Sequence, residues 1–209
     1  MKKLIIYFLV ASFAAGLSAQ DITLPAPKKT GGKPLMECLN ERKSERDFDD
    51  KKEISNQTLS NLLWAAWGYN RSEKRTAPSS RNKQEIDIYV SLKTGVYLWD
   101  AKTNVLKLVL AEDIRKETGK QTFVEKAPVN LIFVCNITKC DTKGDNQKLT
   151  EATYANVGYI SQNVYLFCAS EGLATVVRGS VAKDDLGKII KLTSDQMVLL
   201  AQSIGYPKK

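Results

Sequence analysis

Val96-Tyr97-Leu98-Trp99-Asp100, Ala101-Lys102-Thr103-Asn104 and Val105-Leu106-Lys107-Leu108-Val109-Leu110 form the stretch on which the fold turns. Two runs rich in β-branched and aromatic residues flank a short polar linker, the pattern of an antiparallel hairpin. Upstream, Ile86 to Leu92 reads as another strand. Downstream, Pro128 precedes the nearly continuous apolar run Val129 to Val134, a strand buried on both faces. Helical patterns lie on either side. After Ser55, the residues Leu59, Leu62, Leu63, Ala66 and Trp67 recur at helical spacing, and Gly68 stands at the C-terminal cap position. Glu151 to Glu171 predicts the longest helix, ending at Gly172. Its apolar residues wrap most of the circumference, so it is buried, and Gln162 and Asn163 within it need hydrogen-bond partners. Val176 and Val177 read as a short extended segment, Tyr69 to Asn82 as a polar loop, and Met197 to Ile204 fits strand or helix by periodicity. Hairpin strands mixed with long helices give an α+β class, with one antiparallel-rich central sheet packed by helices.

The ends of the chain read differently. Lys2 and Lys3 precede an apolar run from Leu4 to about Leu17, and Leu17-Ser18-Ala19 has the form of a cleavage site before Gln20. Residues 1–19 are thus expected to be a signal peptide, and the protein to be exported, to a periplasm-like space. The apolar run is shorter than the ~20 residues that span a bilayer, so no membrane anchor is expected after cleavage. Residues 20–33, with Pro25, Pro27, Gly31 and Gly32, read as an extended leader, and residues 34–209 as one domain.

Composition narrows the chemistry. The formal charge of +8 becomes +6 without Lys2 and Lys3. The lysines are dispersed and lack stacking aromatics between them, so nucleic acid is not the expected partner. The chain has no histidine. That removes Ser-His-Asp and Cys-His nucleophile pairs and the commonest metal ligand together. Cys38 and Cys168 sit in apolar helical contexts as buried thiols. Cys135 and Cys140 flank a strand end, where a local disulfide is one alternative; no metal site is expected, because paired short cysteine spacings are missing.

The functional signal begins at Glu41-Arg42-Lys43-Ser44-Glu45-Arg46-Asp47-Phe48, after the short amphipathic segment Leu35 to Leu39. Three cations and a hydroxyl within five residues suit a doubly charged phosphate, since guanidinium groups make forked, charge-assisted hydrogen bonds. Three further segments follow in order. One is Leu62-Leu63-Trp64-Ala65-Ala66-Trp67-Gly68, leading to Ala77-Pro78-Ser79-Ser80-Arg81-Asn82. Another is Gly158-Tyr159-Ile160-Ser161-Gln162-Asn163, continuing through Glu171-Gly172-Leu173 to Arg178-Gly179. The last is Ser203-Ile204-Gly205-Tyr206-Pro207. Together they resemble the nitroreductase family of flavin enzymes, whose N-terminal motif is Arg-x-Ser-x-Arg/Lys-x-Phe.

The resemblance implies a nitroreductase-like fold, FMN as cofactor and a homodimer. It implies that Arg42 and Ser44 hold the FMN phosphate with Lys43 nearby. Arg46 takes the basic position facing the N1/O2 edge of the ring, where a cation stabilises the reduced anion. Asn82 matches an amide on the ring's polar edge, with Pro78, Ser79 and Ser80 shaping the wall beside it, across the dimer. Val177, Arg178 and Gly179 fall where the family offers backbone N–H groups to flavin N5 and O4. Arg178 departs from the Glu that often precedes this Gly, which leaves a backbone contact in place but not a side-chain role. At the shortened C-terminus Lys208 and Lys209 are the basic residues left, and Lys208 is the candidate to reach phosphate. The resemblance also makes Met197 to Ile204 a strand.

No catalytic side chain is implied, because hydride chemistry occurs at flavin N5 and solvent can protonate products. The expected activity is that of an FMN-dependent oxidoreductase. It works by a ping-pong cycle between a small-molecule donor and an electron-poor acceptor, such as a nitro compound or a quinone. Export would separate the enzyme from NADH and NADPH, so a quinol or a redox protein is the expected donor. The alternatives are a non-catalytic flavin- or ligand-binding protein on the same scaffold, and a basic exported binding module that takes a polyanion.

Overall fold

The computed structural model describes residues 20–140 and 146–208. The expected signal peptide and Lys209 lie outside the described residues. Nine strands and four helices are present among them: β1 (Ile22–Thr23), α1 (Leu35–Glu41), α2 (Asn56–Trp67), β2 (Tyr69–Arg71), β3 (Lys74–Arg75), β4 (Ile86–Leu92), β5 (Gly95–Asp100), β6 (Val105–Leu110), β7 (Val129–Asn136), α3 (Asn146–Glu171), β8 (Ala174–Arg178), α4 (Lys183–Ile189) and β9 (Gln196–Gly205). Seven strands form one sheet in the order β1-β6-β5-β4-β7-β9-β8, and every pairing in it is antiparallel. The hairpin read from residues 96–110 is β5–β6, and the central strand β7 is buried on both faces as its sequence requires.

The strand alternation sorts β7 between two layers. Leu131, Phe133 and Cys135 face the core shared with α2 and α3, while Ile132 and Val134 face a second cluster with Leu186 and Ile190 of the α4 region. The helices are ended by local chemistry. Ser55 caps α2, its hydroxyl accepting from Thr58 N–H at 3.1 Å. Gly68 closes that helix without a left-handed turn, its φ being −74°; glycine stands there because a Cβ would collide with Trp64. Gly172 does adopt the left-handed conformation (φ 67°) that ends α3.

Three expectations are refined. Within Tyr69–Asn82, β2 and β3 form a small hairpin rather than plain loop. Apolar alternation does not hold it. Arg75 stacks on Trp67 and Tyr69, its guanidinium carbon 5.0 Å and 4.3 Å from the ring centres, and donates to Gln84 Oε1 at 2.8 Å and Trp67 O at 2.8 Å. The leader is extended but not detached, since β1 pairs with β6 and Leu24 is buried. Cys135 and Cys140 are free thiols with their Sγ atoms 3.9 Å apart, and Cys38 and Cys168 are buried. Among the described residues, no helix is long and apolar enough to cross a membrane, and no cluster of three metal-binding side chains occurs.

Candidate functional site

The basic segment after α1 is a strap over the free edge of the sheet. At the end of α1 the chain turns extended at Arg42 (φ −55°, ψ 122°). Glu45 N–H then donates to Thr175 O on β8 at 2.9 Å. Phe48 is buried and bridges to Pro207, Asp49 N–H donates to Tyr206 O at 2.9 Å, and Lys208 N–H to Asp47 O at 3.0 Å. The strap is therefore pinned between β8 and the chain end, and Lys208 is brought beside Arg46 and Asp47.

Alternation along the strap explains the motif's spacing. Glu41, Lys43 and Glu45 line a cleft of about 410 Å³ behind it, together with Cys168, Leu173 and Thr175. Arg42, Ser44 and Arg46 do not line that cleft. An extended chain turns every second residue to one face, the spacing at which Arg42, Ser44 and Arg46 recur. Lys43 is sorted away from them and pairs with Glu45 at 3.0 Å.

One residue beneath the strap was not legible as a site residue. Tyr165, on α3, places its hydroxyl 2.7 Å from Ser44 Oγ and accepts from Val177 N–H at 3.0 Å. The Arg42 guanidinium carbon lies 5.2 Å from the centre of its ring. Tyr165 thus ties two strap residues to β8. Val177 N–H and Thr175 O both face the free edge of β8, and Gly179 lies two residues beyond Val177. Gly179 is exposed, and its N–H makes no hydrogen bond among the described residues.

Arg178 points the other way. Its side chain is 4% exposed and lies among Thr118 and Asn130 on the face away from α3. It donates to Thr118 O at 2.7 Å and Asn130 Oδ1 at 3.0 Å, while its Nε has no partner among the described residues. No carboxylate accompanies it, and burial pushes its pKa down to about 10. Only its backbone can belong to the site.

The remaining predicted residues lie elsewhere on the chain. Pro78, Ser79 and Asn82 line a separate cleft of about 590 Å³ with Arg71, Lys74 and Arg81. Ser80 begins the short turn between them. Ser79 Oγ accepts from Gln84 N–H at 3.0 Å, and Asn82 donates to Glu73 O at 3.1 Å. Arg81, Asn82 and Gln84 are all left-handed, with φ of 51°, 56° and 51°. Three such residues in four positions hold a loop in a sparsely populated conformation, a cost that functional loops commonly carry. Trp67 is core, as expected, and Asn163 donates to Ala65 O at 3.1 Å, which fixes α3 against α2.

The nitroreductase family model matches residues 39–206, from the end of α1 to the strap's anchor at Tyr206. The chain belongs to the nitroreductase family. A curated nitroreductase-named protein of Methanocaldococcus jannaschii is 27% identical over 177 residues, covering 79% of this chain and 88% of that one. A crystal structure named as a nitroreductase of Ralstonia eutropha superposes with a TM-score of 0.85. It is 42% identical and covers 94% of this chain and 93% of its own. At 20% identity the NADPH:FMN oxidoreductase of Vibrio harveyi shares the nitroreductase fold, with a TM-score of 0.62 over 84% of this chain and 69% of that one. Nitroreductase family members are oxidoreductases.

Proposed function

We propose that the chain binds FMN as a homodimer and transfers reducing equivalents from a donor to an electron-poor small molecule, such as a nitro compound or a quinone. The observation that carries this reading is the strap. Arg42 and Ser44 meet at Tyr165 there, Arg46 is exposed, and Lys208 N–H is held to Asp47 O. The Arg42 guanidinium and the Ser44 hydroxyl, with Lys208 in support, suit a phosphate dianion. The unpartnered Gly179 N–H, at the same sheet edge, is suited to an acceptor atom on the flavin ring.

When bound, FMN supplies two-electron transfer at N5, with donor and acceptor taking turns over the ring. The chain's own residues orient and polarise. Arg42 and Ser44 fix the phosphate end, and Arg46 offers an exposed cation that favours negative charge on the cofactor. The second subunit enters through the Pro78–Asn82 loop. Within one chain that loop lines a different cleft from the strap, so it serves a flavin only if it reaches across to a partner. The apolar side chains of Leu35, Met36 and Leu39 on α1, exposed in one chain, supply contact surface for that partner.

Lys2, Lys3 and the apolar run after them support export, and with it a donor other than a nicotinamide, such as a quinol or a redox protein. The test is an absorbance spectrum of the purified chain after incubation with FMN and desalting. Retained bands near ~450 nm, the signature of bound flavin, are expected. A colourless protein would end the reading. Bound FMN that no nicotinamide, quinol or redox protein reduces would leave a flavin carrier instead of an enzyme.

A further inference from the structure

Tyr165 occupies a position that the family motif does not mark, yet it touches three elements of the site. Val177 N–H faces the free edge of the sheet and has one partner among the described residues, the Tyr165 hydroxyl. An amide N–H can only donate, so the phenol oxygen is an acceptor there. The phenol proton remains, and the only other polar atom recorded within reach is Ser44 Oγ at 2.7 Å. At 2.7 Å either hydroxyl can donate, and the phenol, the stronger acid, is the favoured donor to Ser44. Ser44 then has its own proton free to donate. The Tyr165 ring lies against the Arg42 guanidinium, which limits where that cation can swing.

We propose that Tyr165 is a positioning residue for the anionic end of the ligand. In this arrangement it polarises the chain Val177 N–H to Tyr165 O–H to Ser44 O–H, so that Ser44 meets a phosphate oxygen as a donor. Hydrogen bonds in such a chain strengthen one another, and the last donor, facing an anion, gains most. The inference rests on the flavin reading, but it concerns the phosphate alone. Riboflavin, which has the same ring and no phosphate, is its control.

The experiment measures equilibrium binding of FMN and of riboflavin to the full chain. Four proteins are compared: wild type, Tyr165→Phe, Ser44→Ala and the double variant, each checked for folding by circular dichroism. Tyr165→Phe keeps the ring, and with it the packing and the Arg42 contact, and removes only the hydroxyl. FMN affinity is expected to fall about tenfold, the effect of one lost charge-assisted hydrogen bond, with riboflavin within about twofold of wild type. Ser44→Ala should cost a similar factor. The double variant should be no weaker than the poorer single, because Tyr165 acts through Ser44.

Equal losses for FMN and riboflavin would make Tyr165 a merely structural residue and overturn the proposal. So would losses that multiply in the double variant, or a Tyr165→Phe protein that binds FMN like wild type. If wild type binds neither flavin, the flavin reading itself has failed, an outcome distinct from all of these.

Discussion

Arg178 is a cation buried among neutral acceptors, with Thr118 O and Asn130 Oδ1 taking its protons and no carboxylate nearby. Gly119 faces it as glycine because a Cβ there would collide with the guanidinium. Desolvation lowers its folded pKa to about 10, below its ordinary value. Between those values the unfolded chain binds the extra proton, so this group's contribution to stability rises with pH through that window; below pH 10 its full cost is present. Arg178→Met fills most of the volume but orphans the Thr118 carbonyl, and is expected to lose about 1–3 kcal/mol at pH 8. Wild type should gain on it when denaturant unfolding is repeated at pH 10.5, and an unchanged difference would contradict the assigned cause. Arg178→Ala, which leaves a cavity and an orphaned carbonyl, should lose about 2–4 kcal/mol. From sequence alone Arg178 read as a site residue. Its backbone keeps that place, but its side chain is turned onto Thr118 and Asn130, on the face away from α3.

Among elements, those written in one period were legible and those held by single contacts were not. Ile86–Leu92 is rich in β-branched residues and emerges as β4 with the same limits. Met197–Ile204 fits two periods, and its strand is fixed by pairing with β7 and β8. The β2–β3 hairpin depends on one arginine stacked between rings, which no periodicity reports. Tyr165 was hidden for a related reason: a helix apolar on most sides does not say which side meets the strap. Gly205 shows what a motif glycine does at this scale. A Cβ on it would sit 2.6 Å from Pro128 Cδ and 3.0 Å from Phe48 Cδ1, so β9 can pass beneath the strap's anchor only as glycine. Gly205→Ala should cost about 1–3 kcal/mol by overpacking. Because Phe48 must give way, it should also weaken FMN binding, read by titration beside thermal unfolding.

For the molecule as a whole, α1 lies against α3 on one side and leaves Leu35 62%, Met36 74% and Leu39 45% exposed on the other. Three large apolar side chains on one seven-residue helix are costly in water and suit a contact with a second copy. Sedimentation of wild type is expected to show a dimer, and Met36→Glu with Leu39→Glu to shift it to monomer. FMN retention should fall with the dimer, since the Pro78–Asn82 loop would no longer reach a second strap. A monomer that holds FMN as tightly as wild type would assign that loop another task.

The two margins of the sheet are partly covered by short pieces of chain. Glu45 and Tyr165 occupy polar groups along β8, and β1 lies across β6 through Ile22 and Thr23. An open strand margin is a template on which another chain can add, so these short segments act against aggregation as well as for the fold. Proteolytic trimming past Thr23 would uncover β6, whose sequence Val105-Leu106-Lys107-Leu108-Val109-Leu110 carries a single charge. A preparation trimmed there would be prone to self-associate through that margin, opposite the one formed by β8.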